Sequence, residues 1–145
     1  MEYTQRFSEG AAVLAKIDPA AYTTEQNTGY VSLANYHRAA IIIQAGALAG
    51  NLDIDVEEAT STAGAGAQTF DGSGKDITLT ATTDNNTVSI IEIRTEECDV
   101  ADSYDCINVE LTPAGQASDY FSVLVLGIEP RFKPVPTTLV DSVTD

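Results

Sequence analysis

Two stretches of this chain alternate apolar and polar residues without a break: Leu52-Asp53-Ile54-Asp55-Val56 and Ile107-Asn108-Val109-Glu110-Leu111. Successive side chains of an extended strand point to opposite sides, so each stretch has one apolar and one wet face, the signature of a half-buried strand. Tyr30-Val31-Ser32-Leu33, the apolar run from Ala40 to Leu48, and Ile77-Thr78-Leu79-Thr80-Ala81 read as further strands. In the segment Val88 to Arg94, Ser89, Ile91 and Ile93 share one face and Val88, Ile90, Glu92 and Arg94 the other. Tyr120 to Leu126 is apolar on both sides, with Phe121, Val123 and Val125 opposite Tyr120, Leu124 and Leu126. Such a strand belongs at the centre of a sheet or against another chain. Gly50, Asp84-Asn85-Asn86 and Pro113 punctuate these runs as turns and stops. The pattern predicts an all-β chain of seven or eight strands, built as a two-sheet antiparallel β-sandwich or jelly roll.

The two ends read differently. Residues 1–28 hold few ordered apolar repeats, Phe7, Ala11, Val13, Leu14 and Ile17 fitting at most a short helical turn, and are expected to be an extended N-terminal arm. Residues 29–129 are the expected sandwich domain. Residues 130–145 form the expected C-terminal tail, opening with the stiff strap Pro130-Arg131-Phe132-Lys133-Pro134-Val135-Pro136, because proline fixes its own torsion and extends its predecessor.

With 145 residues, 43% of them apolar, the chain is long enough for one domain with a real core. Seven basic residues against 22 acidic ones give a formal charge of −15, a field that repels nucleic-acid phosphates. No stretch approaches the roughly eighteen apolar residues of a membrane span, and the start carries no basic region followed by an apolar block. Synthesis in the cytoplasm is the expectation. Cys98 and Cys106 bracket an acidic loop; a disulfide across it is sterically open, and two reduced thiols are the reading that a cytoplasmic origin favours.

Candidate chemistry is sparse. Asp99, Asp102 and Asp105 lie in a loop that can turn carboxylates inward and are the weak calcium candidates, although the glycine-bearing twelve-residue calcium loop is missing. The carboxylates Asp53, Asp55, Glu57 and Glu58 read as a solvated strand face. His37 stands beside Arg38 with no nucleophile motif, and Gly64, Gly66, Gly72 and Gly74 lack the Gly-Lys-Ser or Gly-Lys-Thr of a phosphate loop. No catalytic residue, metal or cofactor is expected, and the chain is read as a non-enzyme. Contact residues are instead expected at Tyr30, Tyr36, Arg131, Phe132, Lys133 and Pro134: tyrosines close sandwiches or subunit contacts, Phe132 serves as an anchor, and Arg131 and Lys133 meet acidic groups. Tyr22, Tyr30, Tyr36 and Tyr120 are also the candidates for stacking on sugars, should the domain be a carbohydrate-binding attachment module.

The run from Gly29 to Ile43, the acidic strand Leu52-Asp53-Ile54-Asp55-Val56-Glu57-Glu58-Ala59, and the close Val125-Leu126-Gly127 followed by Pro130-Arg131-Phe132-Lys133-Pro134-Val135 resemble small structural proteins encoded in the head gene clusters of tailed bacteriophages and prophages. The resemblance spans most of residues 29–136. It implies a virion component on the capsid surface, a decoration or cement protein whose partners are the major capsid protein and copies of itself, with a trimer at local threefold positions. A head-to-tail joining or tail-tube protein is the neighbouring possibility.

Overall fold

The computed structural model describes residue 4 and residues 6–70, 75–115 and 117–132. A single helical turn, α1 (Phe7–Gly10), leads into strands β1 (Ala11–Tyr22), β2 (Gln26–Asn27), β3 (Val31–Ser32), β4 (Tyr36–Ala45), β5 (Leu52–Ala59), β6 (Gln68–Thr69), β7 (Ile77–Leu79), β8 (Val88–Arg94), β9 (Cys106–Pro113) and β10 (Asp119–Pro130). Two short 3-10 turns, Thr95–Glu97 and Val100–Asp102, connect β8 to β9.

The strands form two antiparallel sheets. One has four strands in the order β1-β10-β4-β8; the other has six, with β2-β9-β5-β6 as its path, β3 also pairing with β9 and β7 with β5. Their inner faces enclose one core. Ile41, Ile43, Ile91, Ile93, Phe121, Val123 and Val125 of the first sheet meet Leu52, Ile54, Val56, Ile107, Val109 and Leu111 of the second, all buried. This is the two-sheet antiparallel sandwich that the alternation in the sequence requires. The alternating stretches lie where expected: β5 and β9 are direct neighbours, with Val56 opposite Val109 and Asp55 opposite Glu110. The doubly apolar strand, β10, is central, flanked by β1 and β4.

The N-terminal arm is corrected. Residues 11–22, read as part of an arm, form a twelve-residue strand of the body, pairing with β10 from Ala11↔Ile128 to Tyr22↔Asp119. The register shifts between Val13 and Ala15 and again between Ile17 and Ala20. Each such irregularity changes which side chains face inward, so a strand that is regular in space carries no regular alternation in its sequence. Pro19 falls within the second irregularity on this edge strand, where a missing amide hydrogen is tolerated. Two other boundaries move. The strand expected from Tyr30 to Leu33 is reduced to Val31–Ser32, and the strand expected from Ala40 begins at Tyr36, taking in His37 and Arg38. Of the expected C-terminal strap, Pro130 closes β10 and Arg131 is tied by its N–H to the Asn35 carbonyl at 2.8 Å, while Lys133 and the rest of the tail lie outside the described residues.

Candidate functional site

The feature that stands out is the outer face of the four-stranded sheet. Register pairing sets Lys16, Leu124, Ile42 and Ile90 in one row across β1, β10, β4 and β8. Residues directly opposite share a face, so the three apolar members form a stripe across the sheet. Val88 lies in the next row, beside Gln44 and Ser122. Ile90 is 61% exposed, Val88 59%, Tyr120 53% and Leu124 41%. Beside Val88 the sheet end opens into a groove of about 420 Å³ whose walls include Pro19, Ala45, Tyr120 and Phe121. Single exposed apolar residues are ordinary; here several are joined in one stripe on a chain of charge −15.

The opposite end of the same sheet is polar. A second cleft, about 430 Å³, is lined by His37, Arg38, Arg94, Thr95, Glu96, Glu129 and Arg131. Arg38 and Arg94 are direct cross-strand partners, a like-charge arrangement that is unfavourable alone. Glu129 offsets it by accepting two hydrogen bonds from Arg38, at 2.6 and 3.1 Å, and Glu96 lies 3.5 Å from Arg94. In this cleft Arg38 is thus paired with Glu129 and Arg94 with Glu96.

The outer face of the six-stranded sheet is acidic. Asp55 stands opposite Glu110, and both carboxyls are pushed above the ordinary carboxylate range, chiefly by loss of solvent and then by neighbouring carboxylates: Asp76, Asp53 and Glu57 around Asp55, and Glu25, Glu57 and Asp55 around Glu110. One carboxylate of that strand behaves otherwise. Glu58, grouped by sequence with the wet acids, continues the inward series of Leu52, Ile54 and Val56 and is fully buried. Gln68 Nε2 donates to it at 2.8 Å and the Asp99 N–H at 3.0 Å, so Glu58 anchors the acidic loop to the end of the sandwich. Alternation alone would have found it, since position 58 keeps the parity of 52, 54 and 56.

The residues singled out from sequence scatter. Tyr36, expected at a contact, is buried at 4% exposure and packs with Ala12 in a small cluster of its own. Tyr30 is half-buried, and its hydroxyl is engaged, donating to Glu57 Oε2 at 2.6 Å. Phe132 is 73% exposed, Arg131 is exposed, and Lys133 and Pro134 lie outside the described residues. Asp99, Asp102 and Asp105 do not converge: Asp105 accepts from the Cys106 thiol and the Ser32 hydroxyl, and no group of three or more potential metal ligands occurs among the described residues. Cys98 and Cys106 are buried free thiols, pushed up to about 12 and about 11, mainly by burial, which leaves little thiolate for chemistry.

Tyr30 provides a pH test of this local geometry. Burial, the hydrogen bond to Glu57 and the charges of Glu57 and Glu110 raise its hydroxyl from 10.0 to about 12. The folded state therefore favours the neutral phenol, and that contribution to stability is complete below pH 10 and lost as pH rises towards 12. Urea titrations should show the wild type losing stability over this window relative to Tyr30→Phe. Parallel curves for the two proteins would remove the Tyr30–Glu57 bond as a contributor.

No protein-family model matches the chain, and no curated protein matches it in sequence. Among solved structures it is similar to the coat protein of Tobacco streak virus at 9% sequence identity, with a TM-score of 0.42 over 97% of this chain and 100% of that one. An overlap that loose does not establish a common fold.

Proposed function

We propose that the chain is a virion structural protein that decorates and cements the capsid of a tailed bacteriophage, bridging capsomers through the outer face of its four-stranded sheet. The observation that carries the reading is the row of exposed Leu124, half-buried Ile42 and exposed Ile90, with exposed Val88 and Tyr120 beside it, on an otherwise acidic body. The resemblance of its strand and strap motifs to phage head-cluster proteins supports the setting, and the stripe supports the means. Cementing is mechanical. Packed DNA pushes a shell outward, and apolar area buried across the joints between capsomers opposes that push at roughly 25 cal/mol per Å². Repeated over a symmetric shell, a modest contact becomes a large total, and no reacting group is required. The protein acts as a non-enzyme in this scheme, with the major capsid protein and copies of itself as partners.

The test is reconstitution. Phage particles lacking the protein are mixed with the wild type or with the double variant Ile90→Glu and Leu124→Glu, then heated, and released DNA is measured. Wild type should restore heat resistance at an occupancy on the order of hundreds of copies per particle, as a repeating shell site demands. The double variant, with both changes at solvent-exposed positions, should keep its own unfolding midpoint and fail to bind. Equal binding by the variant, or equal heat resistance with and without the protein, would sink the reading. A stoichiometry of six to a few dozen would move the protein to the neck or tail.

A further inference from the structure

The groove at the end of the four-stranded sheet differs in chemistry from the other clefts. Ser122, Gln44 and Val88 lie in one register row across β10, β4 and β8, and Tyr120 is two residues from Ser122, so all four belong to the outer face. Asn86 and Pro19 complete the rim, Pro19 from the second irregularity of β1.

The local backbone shapes this groove. Tyr120 is 53% exposed, yet its main chain is fixed: its N–H donates to the Ala47 carbonyl at 3.0 Å, and its carbonyl accepts from the Gly46 N–H at 2.7 Å. A Cβ on Gly46 would stand 3.0 Å from the Tyr120 Cβ, so that flank of Tyr120 is clear because position 46 carries no side chain. Asn86 takes a left-handed backbone, φ 55°, which asparagine tolerates, and its N–H donates to the Gly46 carbonyl at 2.9 Å. That bond fixes the turn before β8 as one wall.

We infer that this groove binds a short uncharged saccharide, stacked on Tyr120 and hydrogen-bonded by Gln44, Asn86 and Ser122. Three observations select this ligand. The first is charge. The described residues lining the groove are all uncharged, whereas arginine and glutamate line the two other clefts. A phosphate ligand needs cations, which these residues do not supply on a chain already at −15.

The second is hydrogen-bond type. A sugar hydroxyl both donates and accepts, and so do a side-chain amide and a serine hydroxyl, whereas a charged group is confined to one role. Gln44 and Asn86 are exposed, and half-buried Ser122 stands directly opposite Gln44. The third is the aromatic beside that polar set. The CH face of a sugar ring is apolar and covers a phenol ring, and a groove of about 420 Å³ lies within the roughly 300–1,000 Å³ of small-ligand sites. A purely apolar occupant would strip water from the amides and leave them unpaired. The inference goes beyond the capsid reading and stands without it.

The experiment is an amide NMR titration of the full chain, with no capsid present, using maltotriose, cellotriose and diacetylchitobiose at millimolar concentrations and trigalacturonate as the acidic comparator. At least one neutral sugar should shift the Gly46, Asn86 and Ser122 signals to saturation while those of Glu57 and Asn108, on the other sheet, stay in place. Tyr120→Ala and Gln44→Ala, both at exposed positions, should keep the thermal midpoint and weaken binding roughly tenfold. Tyr120→Phe, which keeps the ring, should bind nearly as the wild type does. If Tyr120→Ala lowers the midpoint, Gln44→Ala decides alone. Absence of shifts at these three amides with every neutral sugar overturns the inference. So does binding that Gln44→Ala leaves unchanged, or a stronger response to trigalacturonate than to the neutral sugars.

Discussion

Asp119→Ala is expected to lower the unfolding free energy by about 3 kcal/mol, measured by urea denaturation, because one buried carboxylate oxygen organises a whole corner of the sandwich. Asp119 opens β10 and is fully buried. Its Oδ1 accepts from the Ala49 N–H at 2.6 Å and the Gly50 N–H at 3.1 Å, in the turn that carries the chain from β4 in one sheet to β5 in the other. The same corner is pinned from the other side by the Gly46 N–H on the Tyr120 carbonyl and the Tyr120 N–H on the Ala47 carbonyl. Alanine leaves two amides without their acceptor, and bonds to a charged group are worth about 1.5–3 kcal/mol each. Among the described residues Asp119 Oδ2 has no partner, so Asp119→Asn, which keeps one oxygen for the turn, should lose much less. Equal losses for the two variants would show that the oxygen-to-amide bonds are not what holds the corner.

The strands that alternate cleanly were legible because each has one face in the core and one in water. β5, β8 and β9 fall where their apolar residues recur every second position, and the doubly apolar β10 is central. β1 was illegible for a definite reason: two register shifts break the parity on which the reading rests, and five of its twelve residues are alanine, a weak strand former. Tyr36 misled in the opposite way. An aromatic beside His37 and Arg38 looks like a boundary residue, but it packs across the strand pair on Gly127, a contact set by the distant pairing of β4 with β10.

The apolar stripe was half legible. Sequence placed Val88 and Ile90 on one face and Tyr120 and Leu124 on one face, but not the adjacency that joins them through Ile42 into a stripe, because strand order is a non-local property. The expected contacts at Tyr30 and Tyr36 were drawn from residue type; Tyr36 is buried against Ala12, and Tyr30 is half-buried with its hydroxyl on Glu57.

Gly127→Ala should destabilise the fold by about 3 kcal/mol, the upper end of what overpacking costs. A Cβ at Gly127 would stand 2.7 Å from two ring atoms of Tyr36 and 2.8 Å from a third, closer than side-chain carbons approach. Gly127 pairs with Ala39 on one side and Ala12 on the other, so β10 cannot shift to relieve the clash without breaking pairs to both neighbours. The ring is buried, and moving it would disturb the Ala12 cluster it closes. Glycine is required here by close approach, since its backbone is not among the positive-φ positions. The double variant Gly127→Ala with Tyr36→Ala supplies the control. Tyr36→Ala alone loses the packing of a large buried side chain, about 3–5 kcal/mol, but the second change should then add almost nothing, because the ring it would strike is gone. Thermal melts of the four proteins decide the point: additive losses would mean that Tyr36 is not the obstacle, and that the close approach of ring to backbone does not fix this strand pair.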